Sequence, residues 1–324
     1  MNRRELCIAT AWAALSSPAL RAAQAFPAKP LRVISSFAAG GGPDVQLRQL
    51  APGLGQALGQ PAVIENKVGA AGLLAAQYVA QATPDGYTLL LGSNTLLAQK
   101  TLQPAIHLDP LADFAPVGNI AVSPALLVVR PDASFRDVGE LIAAARKAPG
   151  TLNYGSGGVG TAAHLAGATM AGLAGIDVVH IPLKGSVEIA PSLLRGETQF
   201  AFPIAGTAVP LVRAGTLRPL AVTSSERSKD LPDVPTLREW LHSDLAVQAS
   251  WFGLWAPART PSDVQSTLNA ALRRAAGTDA IRRAFAAAGT EVETSSTPEA
   301  YAAFVRDESR KWAEVVKLAR ITIN

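Results

Sequence analysis

One stretch, Leu31 to Asp44 (LRVISSFAAGGGPD), limits what this chain can fold into more than any other. An apolar, β-type run leads into a small-residue loop with three consecutive glycines. Pro43 and Asp44 then open an amphipathic segment. Strand, bare-backbone turn and helix start, in that order, make an anion-binding corner. The first amides of a helix have no intrahelical acceptor and point outward with partial positive charge. Glycine lets a ligand come close to the backbone. The residues that would meet a carboxylate or phosphate here are Phe37, Ala38, Ala39, Gly40, Gly41 and Asp44. Asp44 has a second role open to it, since a carboxylate in a first helical turn is favoured by the dipole whatever the function.

The same grammar recurs about 120 residues later. Leu152-Asn153-Tyr154 reads as a short strand, and Gly155 to Gly160 (GSGGVG) as a glycine-rich loop. Thr161 begins a helix that carries His164 and Leu165. Two such corners could hold an acid by backbone amides and hydroxyls, with little need for lysine or arginine. Ser156, Gly157, Gly160, Thr161 and His164 are the candidates on this side. A third loop, Gly92-Ser93-Asn94-Thr95, follows a strand and adds Ser93, Asn94 and Thr95.

Short β-rich runs alternate with helical patterns, which predicts an α/β fold with largely parallel sheets. The strands expected are Leu31–Ser36, Ala62–Glu65, Tyr87–Gly92, Ala125–Val129, Thr151–Tyr154, Val178–Ile181, Thr198–Phe202 and Leu217–Thr223. Most are continuously apolar, as strands covered on both faces are. Leu47, Leu50, Leu54 and Leu58 recur at helical spacing, with Pro52 and Gly53 expected to kink or break that helix. Phe135–Lys147 is expected to start behind Ser134, with Asp137 capping its first turn. Ser250–Trp255 is an aromatic-rich strand candidate, and Pro298–Leu318 a long amphipathic helix with Thr297 as N-cap. No repeat and no low-complexity linker divides the chain. Two lobes joined by crossing strands are therefore expected, with crossings near Ala121–Pro124 and Val222–Ser225. Residues 26–122 and 225–324 would then form lobe 1, and 123–224 lobe 2.

The 324 residues are enough for two domains and a sizeable core. Residues 1–25 read as an export signal: Arg3 and Arg4, an apolar Leu6–Leu15 core, and the small-x-small site Ala23-Gln24-Ala25 with cleavage before Phe26. The Arg3-Arg4 pair leaves the general secretory and twin-arginine routes both open. Without Arg3, Arg4, Arg21 and Glu5 the chain has 26 basic and 24 acidic residues, a net of +2. No basic run follows a phosphate backbone, so nucleic acid is not an expected partner. Cys7, the only cysteine, lies in the leader, so no disulfide or thiol chemistry is expected after cleavage.

Ten segments in order resemble a known family. They include Phe37 to Asp44, Glu65-Asn66-Lys67, Pro84 to Gly92, Asp113 to Val117 and Leu152 to Gly157. The others are His164 to Gly167, Lys184-Gly185, Leu220 to Thr223, Leu231 to Thr236 and Trp251 to Leu254. This pattern, from about Pro27 to the C-terminus, is similar to that of the tripartite tricarboxylate transporter substrate-binding proteins, the Bug receptors of Gram-negative bacteria. The resemblance implies a type II periplasmic binding protein: two α/β lobes, two hinge-crossing strands, and a small carboxylic acid in the cleft. It implies a ligand carboxylate met by the Phe37–Asp44 loop, Ser93–Thr95 on the same side, and Gly155–Thr161 with His164 from the other lobe. Lys184 would reach the cleft rim, and Pro203 would line the cleft. A periplasmic location, a monomer, no cofactor and a membrane permease as partner are the corresponding expectations.

Several positions depart from that pattern. Ala38 and Ala39 stand where prolines are common, and Leu183 where an aromatic usually precedes the lysine. Pro203 and Ile204 replace a frequent Asp-Asn pair. The loss of two polar groups disfavours an amino acid and leans towards a simple or aromatic carboxylate.

Other readings carry less. Gly40-Gly41-Gly42 lacks the Gly-Lys-Ser/Thr ending of a phosphate loop, although Glu65 stands at a distance compatible with a dinucleotide site. Ser156 and His164 could be cast as nucleophile and base, but Gly155-Ser156-Gly157 lacks the nucleophile-elbow spacing. The histidines show no metal-ligand spacing. The effector domain of a transcription regulator would share the two-lobe plan but not the export leader. A ligand-sensing receptor for a signalling partner stays open beside the transport role.

Overall fold

The computed structural model describes residues 26–318; the expected leader and its cleavage site lie outside them. Two sheets organise the chain. The first has the order β11-β4-β10-β3-β1-β2, formed by Glu291–Val292, Phe114–Pro124, Ala249–Pro257, Thr88–Ser93, Leu31–Ser35 and Ala62–Asn66 respectively. The second has the order β7-β6-β8-β5-β9, formed by Val179–Pro182, Asn153–Ser156, Phe200–Ala201, Leu126–Val129 and Arg218–Val222. Each sheet has its own apolar core. Leu31, Leu89, Phe252 and Leu272 belong to one, and Leu127, Tyr154, Phe200 and Ala221 to the other.

The expectation of largely parallel sheets is corrected. β1 runs parallel to β2 and β3, and β6 to β7 and β8, but β10 is antiparallel to both β3 and β4, and β5 to both β8 and β9. A continuous apolar run reports burial on both faces, not strand direction. The eleven-residue β4 was not anticipated, because Pro116, Gly118 and Asn119 interrupt its apolar pattern. It pairs with β10 over its whole length, with register shifts between Phe252 and Gly253 and between Leu254 and Trp255. Gly253 is required there: a Cβ at that position would lie 2.3 Å from the Tyr301 hydroxyl.

Pro52 does not break its helix, which runs unbroken from Gly42 to Leu58. Its exposed ring costs about 3 kcal/mol. Leu47, Leu50, Leu54 and Leu58 are buried on the opposite side, and each stabilises by about 1.5–3 kcal/mol. Four leucines outweigh one proline. Asp137, rather than Ser134, is the N-cap of the Val138–Lys147 helix, accepting the Glu140 amide at 2.8 Å. Thr297 accepts the Ala300 amide at 3.2 Å at the start of Pro298–Leu318.

The chain passes from the first sheet to the second at Pro124–Ala125. It returns at Gln248–Ala249, where Ala249 pairs with Pro124. The expected second crossing at Val222–Ser225 is thereby displaced. Val234, Leu237 and Ala246 pack in the second core, so 224–247 lie with lobe 2 and not with lobe 1. Thr223 sits between the two passages. Its hydroxyl accepts the Ala125 amide at 2.8 Å and donates to the Gln248 carbonyl.

Candidate functional site

A hollow of about 700 Å³ opens between the lobes. Of the residues expected to meet a ligand, Phe37, Ala38, Ser93, Thr95, Gly157, Thr161, Lys184 and Pro203 line it. Ala39, Gly40, Gly41, Asp44, Asn94, Ser156, Gly160 and His164 stand outside this lining.

Three amides of the first corner are engaged within the chain. The Gly40 amide donates to Asp44 Oδ2 at 3.1 Å, the Gly41 amide to the Ala38 carbonyl at 3.0 Å, and the Gly42 amide to Thr207 Oγ1 at 3.1 Å. The last of these bonds crosses from lobe 1 to lobe 2. Asp44 is fully buried. Burial alone would raise its pKa. Hydrogen bonds from Arg48 Nε (2.9 Å), Asn66 Nδ2 (2.6 Å) and the Gly40 amide outweigh that and hold the carboxyl below its ordinary range. Asn66 also donates to the Phe37 carbonyl at 3.0 Å. Asp44, Asn66 and Arg48 therefore fix the loop from behind. What this loop leaves to the cleft is the face of Phe37 and Ala38.

Gly92–Thr95 is not a loop. β3 ends at Ser93 and the Asn94–Leu102 helix starts at once, with Ser93 Oγ accepting the Thr95 amide at 3.3 Å. Asn94 is buried, accepting a bond from Ser250 Oγ at 3.1 Å and donating to the Ala249 carbonyl at 3.4 Å.

The second corner is open. Thr161 is the N-cap of the Ala162–Ala174 helix, but its hydroxyl donates to the Gly158 carbonyl at 2.8 Å and caps nothing. Among the described residues the Ala162 and Ala163 amides have no intramolecular acceptor, and both residues line the cleft. Gly160 takes a positive φ of 78°, and a Cβ there would lie 2.4 Å from Gln99 Nε2. That close approach lets Gln99 donate to the Val159 carbonyl, a second bond between the lobes.

Ser156 and His164 brace this loop from below. The Gly160 amide donates to His164 Nδ1 at 2.9 Å, and the Gly158 amide to Ser156 Oγ at 3.2 Å. Ser156 Oγ lies 2.7 Å from Nε2 of His180, not of His164. The parallel register of β6 and β7 places His180 opposite Tyr154 and so beside Ser156. Burial pushes His164 down to about 3, with His180 as a further cause, and His180 down to about 4. Among the described residues neither imidazole bonds a carboxylate, so the arrangement is not a nucleophilic triad. No cluster of three or more metal-ligating side chains occurs among them either.

Sequence reasoning missed one wall. Val68 to Leu73 line the cleft on the lobe 1 side. Gly69, Ala70, Ala71 and Gly72 have positive φ in succession (143°, 46°, 51° and 94°). For the two alanines this costs about 1–2 kcal/mol each. The available signal was the small-residue run Gly69-Ala70-Ala71-Gly72 between a strand and a helix. Strain of this kind concentrates where chains bind ligands.

Two mixed α/β lobes, crossed twice by the chain around a shared hollow, define a two-lobed binding-protein fold. Residues 46–321 match the tripartite tricarboxylate transporter family receptor model, TctC, and the chain belongs to that family. It is 34% identical to BugT of Bordetella pertussis over 297 residues, 91% of this chain and 90% of that protein. Among solved structures it is similar to the periplasmic binding protein BugD (TM-score 0.85, 30% identity, 92% of this chain and 99% of that one). It is also similar to an R. palustris protein with adipate (TM-score 0.87, 32% identity, 92% and 99%). MatC of Rhodopseudomonas palustris with bound malate is a further neighbour (TM-score 0.83, 32% identity, 90% and 100%). The family and these neighbours are solute-binding proteins.

Proposed function

We propose that this chain is a periplasmic receptor that captures a small organic carboxylate between its lobes for uptake by a tripartite tricarboxylate-type transporter. The observation that carries this reading is the uncapped start of the Ala162–Ala174 helix, whose first two residues line the cleft and whose first two amides have no acceptor among the described residues. The carboxylate sits against Ala162, Ala163 and Gly157, where free N–H groups and the helix dipole favour negative charge. Ser93, Thr95 and the Ala38 backbone approach from lobe 1. Lobe-to-lobe bonds such as Gln99 to Val159 form only with the lobes together, so a ligand touching both sides favours that arrangement. Acids bound to the R. palustris neighbours, adipate and malate, support the same class of ligand.

The receptor acts without catalysis and without a cofactor, as a single copy, after a leader cut before Phe26. Ser156, Gly160, His164, Asp44 and Gly40 serve it by shaping the two loops. Among the described residues no helix is long and apolar enough to cross a membrane.

Thermal-shift measurement across a panel of small carboxylates and their amides tests this reading. Some acids raise the melting temperature and the matching amides do not. A flat response of folded protein to every acid would overturn it.

A further inference from the structure

The lining of the cleft is predominantly apolar. Its middle is hydrocarbon. Val68 and Leu73 contribute from lobe 1, and Leu183, Ile189, Pro203 and Ile204 from lobe 2. Among the described lining residues Lys184 is the one charged side chain, and it lies exposed at the rim. None of them is acidic. Three polar side chains of the lining are engaged within the protein. Gln103 Nε2 donates to Gln99 Oε1 at 2.8 Å, Gln99 to Val159, and Ser36 Oγ to the Leu91 carbonyl at 2.9 Å.

We propose that the preferred ligand is a monocarboxylate with a hydrocarbon body, aliphatic or aromatic, that carries no ammonium group. This rests on the carboxylate-receptor reading and narrows it. One helix start and one lysine balance about one negative charge. A second or third carboxylate would find only neutral hydroxyls such as Thr95 and Ser186 beside Leu73, Ile189 and Ile204, with no further cation, and burying a charge without a charged partner is costly. An ammonium would find no carboxylate to pair with. A hollow of about 700 Å³ is also of the size that encloses a ligand larger than a four-carbon acid. Ile204 governs this choice because it holds the lining position where a polar side chain would change the character of the belt.

Isothermal titration of the purified protein with hexanoate, phenylacetate, malate, citrate and 6-aminohexanoate tests the proposal. Hexanoate or phenylacetate should bind at least about tenfold tighter than malate, citrate and 6-aminohexanoate, the cost of burying an unmatched polar group. The Ile204→Asp variant supplies a carboxylate at the N-cap of the Ala205–Arg213 helix, a position that suits Asp and so keeps the fold. It should lose affinity for hexanoate and gain at least about tenfold for 6-aminohexanoate relative to it. Malate or citrate binding tighter than both monocarboxylates would overturn this inference and leave the receptor reading intact. Binding of none of these acids would overturn this inference, and the receptor reading falls with it only if the whole thermal-shift panel is also without effect.

Discussion

The imidazoles of His164 and His180 lie face to face, their centroids 3.8 Å apart and their planes 14° from parallel. One holds the Gly160 amide and the other the Ser156 hydroxyl, so the pair supports the open corner of the cleft while remaining neutral. Both pKa values are depressed in the folded chain, to about 3 and about 4. The unfolded chain takes up these protons near 6.5. Stability is therefore unaffected by the pair above that pH and falls as pH drops from about 6.5 towards about 3. Denaturant melts between pH 7 and 4 should show this slope. The double variant His164→Asn, His180→Gln keeps acceptors near both ring nitrogens, cannot titrate, and should flatten it.

Asp44 gives a dependence of the same sign at lower pH. Its carboxyl pKa is depressed when folded, so its contribution is present above the unfolded value and lost as pH falls below about 4. Asp44→Asn should cost about 2 kcal/mol at pH 7, the scale of hydrogen bonds to a charged group. Its acid unfolding limb should be shallower than that of the wild-type chain. Ligand affinity should weaken through a looser Phe37–Gly40 loop, which titration of the folded variant would read.

Ala162→Pro separates ligand binding from folding. The preceding Thr161 is already extended (φ −70°, ψ 159°), as a residue before proline must be. Proline is favoured at the first helical position. The variant should melt within about 1 °C of the wild type, since the amide it removes has no acceptor within the chain. Affinity for the carboxylate should drop about tenfold or more, the loss of one charge-assisted hydrogen bond. An unchanged affinity would show that the acid does not sit at this helix start.

Ala71 tests the strained wall. Ala71→Gly relieves a left-handed backbone, offset in part by extra freedom in the unfolded chain, and should raise stability by up to about 1 kcal/mol. Ala71→Val places a branched Cβ in the same conformation and should cost more than about 2 kcal/mol. Melting curves of the two variants should therefore move in opposite directions.

Much of the fold could be read from residues that act locally. The eight strands expected from apolar runs all occur within a few residues of their predicted bounds, because burial on both faces leaves a signal in each short stretch. Strand direction, β4 and the second crossing could not be read this way. They depend on where Thr223, Gln248 and Pro124 meet, far apart in sequence. The site divides along the same line. Gly157, Thr161 and Ala38 sit on local strand–loop–helix patterns and reach the cleft. The internal bonds of the first corner turn on Thr207, 165 residues from Gly42, and on Asn66, 22 from Asp44. His180 joins Ser156 only through the β6–β7 register. Partnerships of that reach leave no mark in a local pattern.

Thr223 clips both passages of the chain with one hydroxyl, taking the Ala125 amide and giving its proton to the Gln248 carbonyl. Such a pin turns the junction into an axle: the lobes can swing about it, but they cannot slide or drift apart at that end. Rotation about it would open the hollow without parting the two passages.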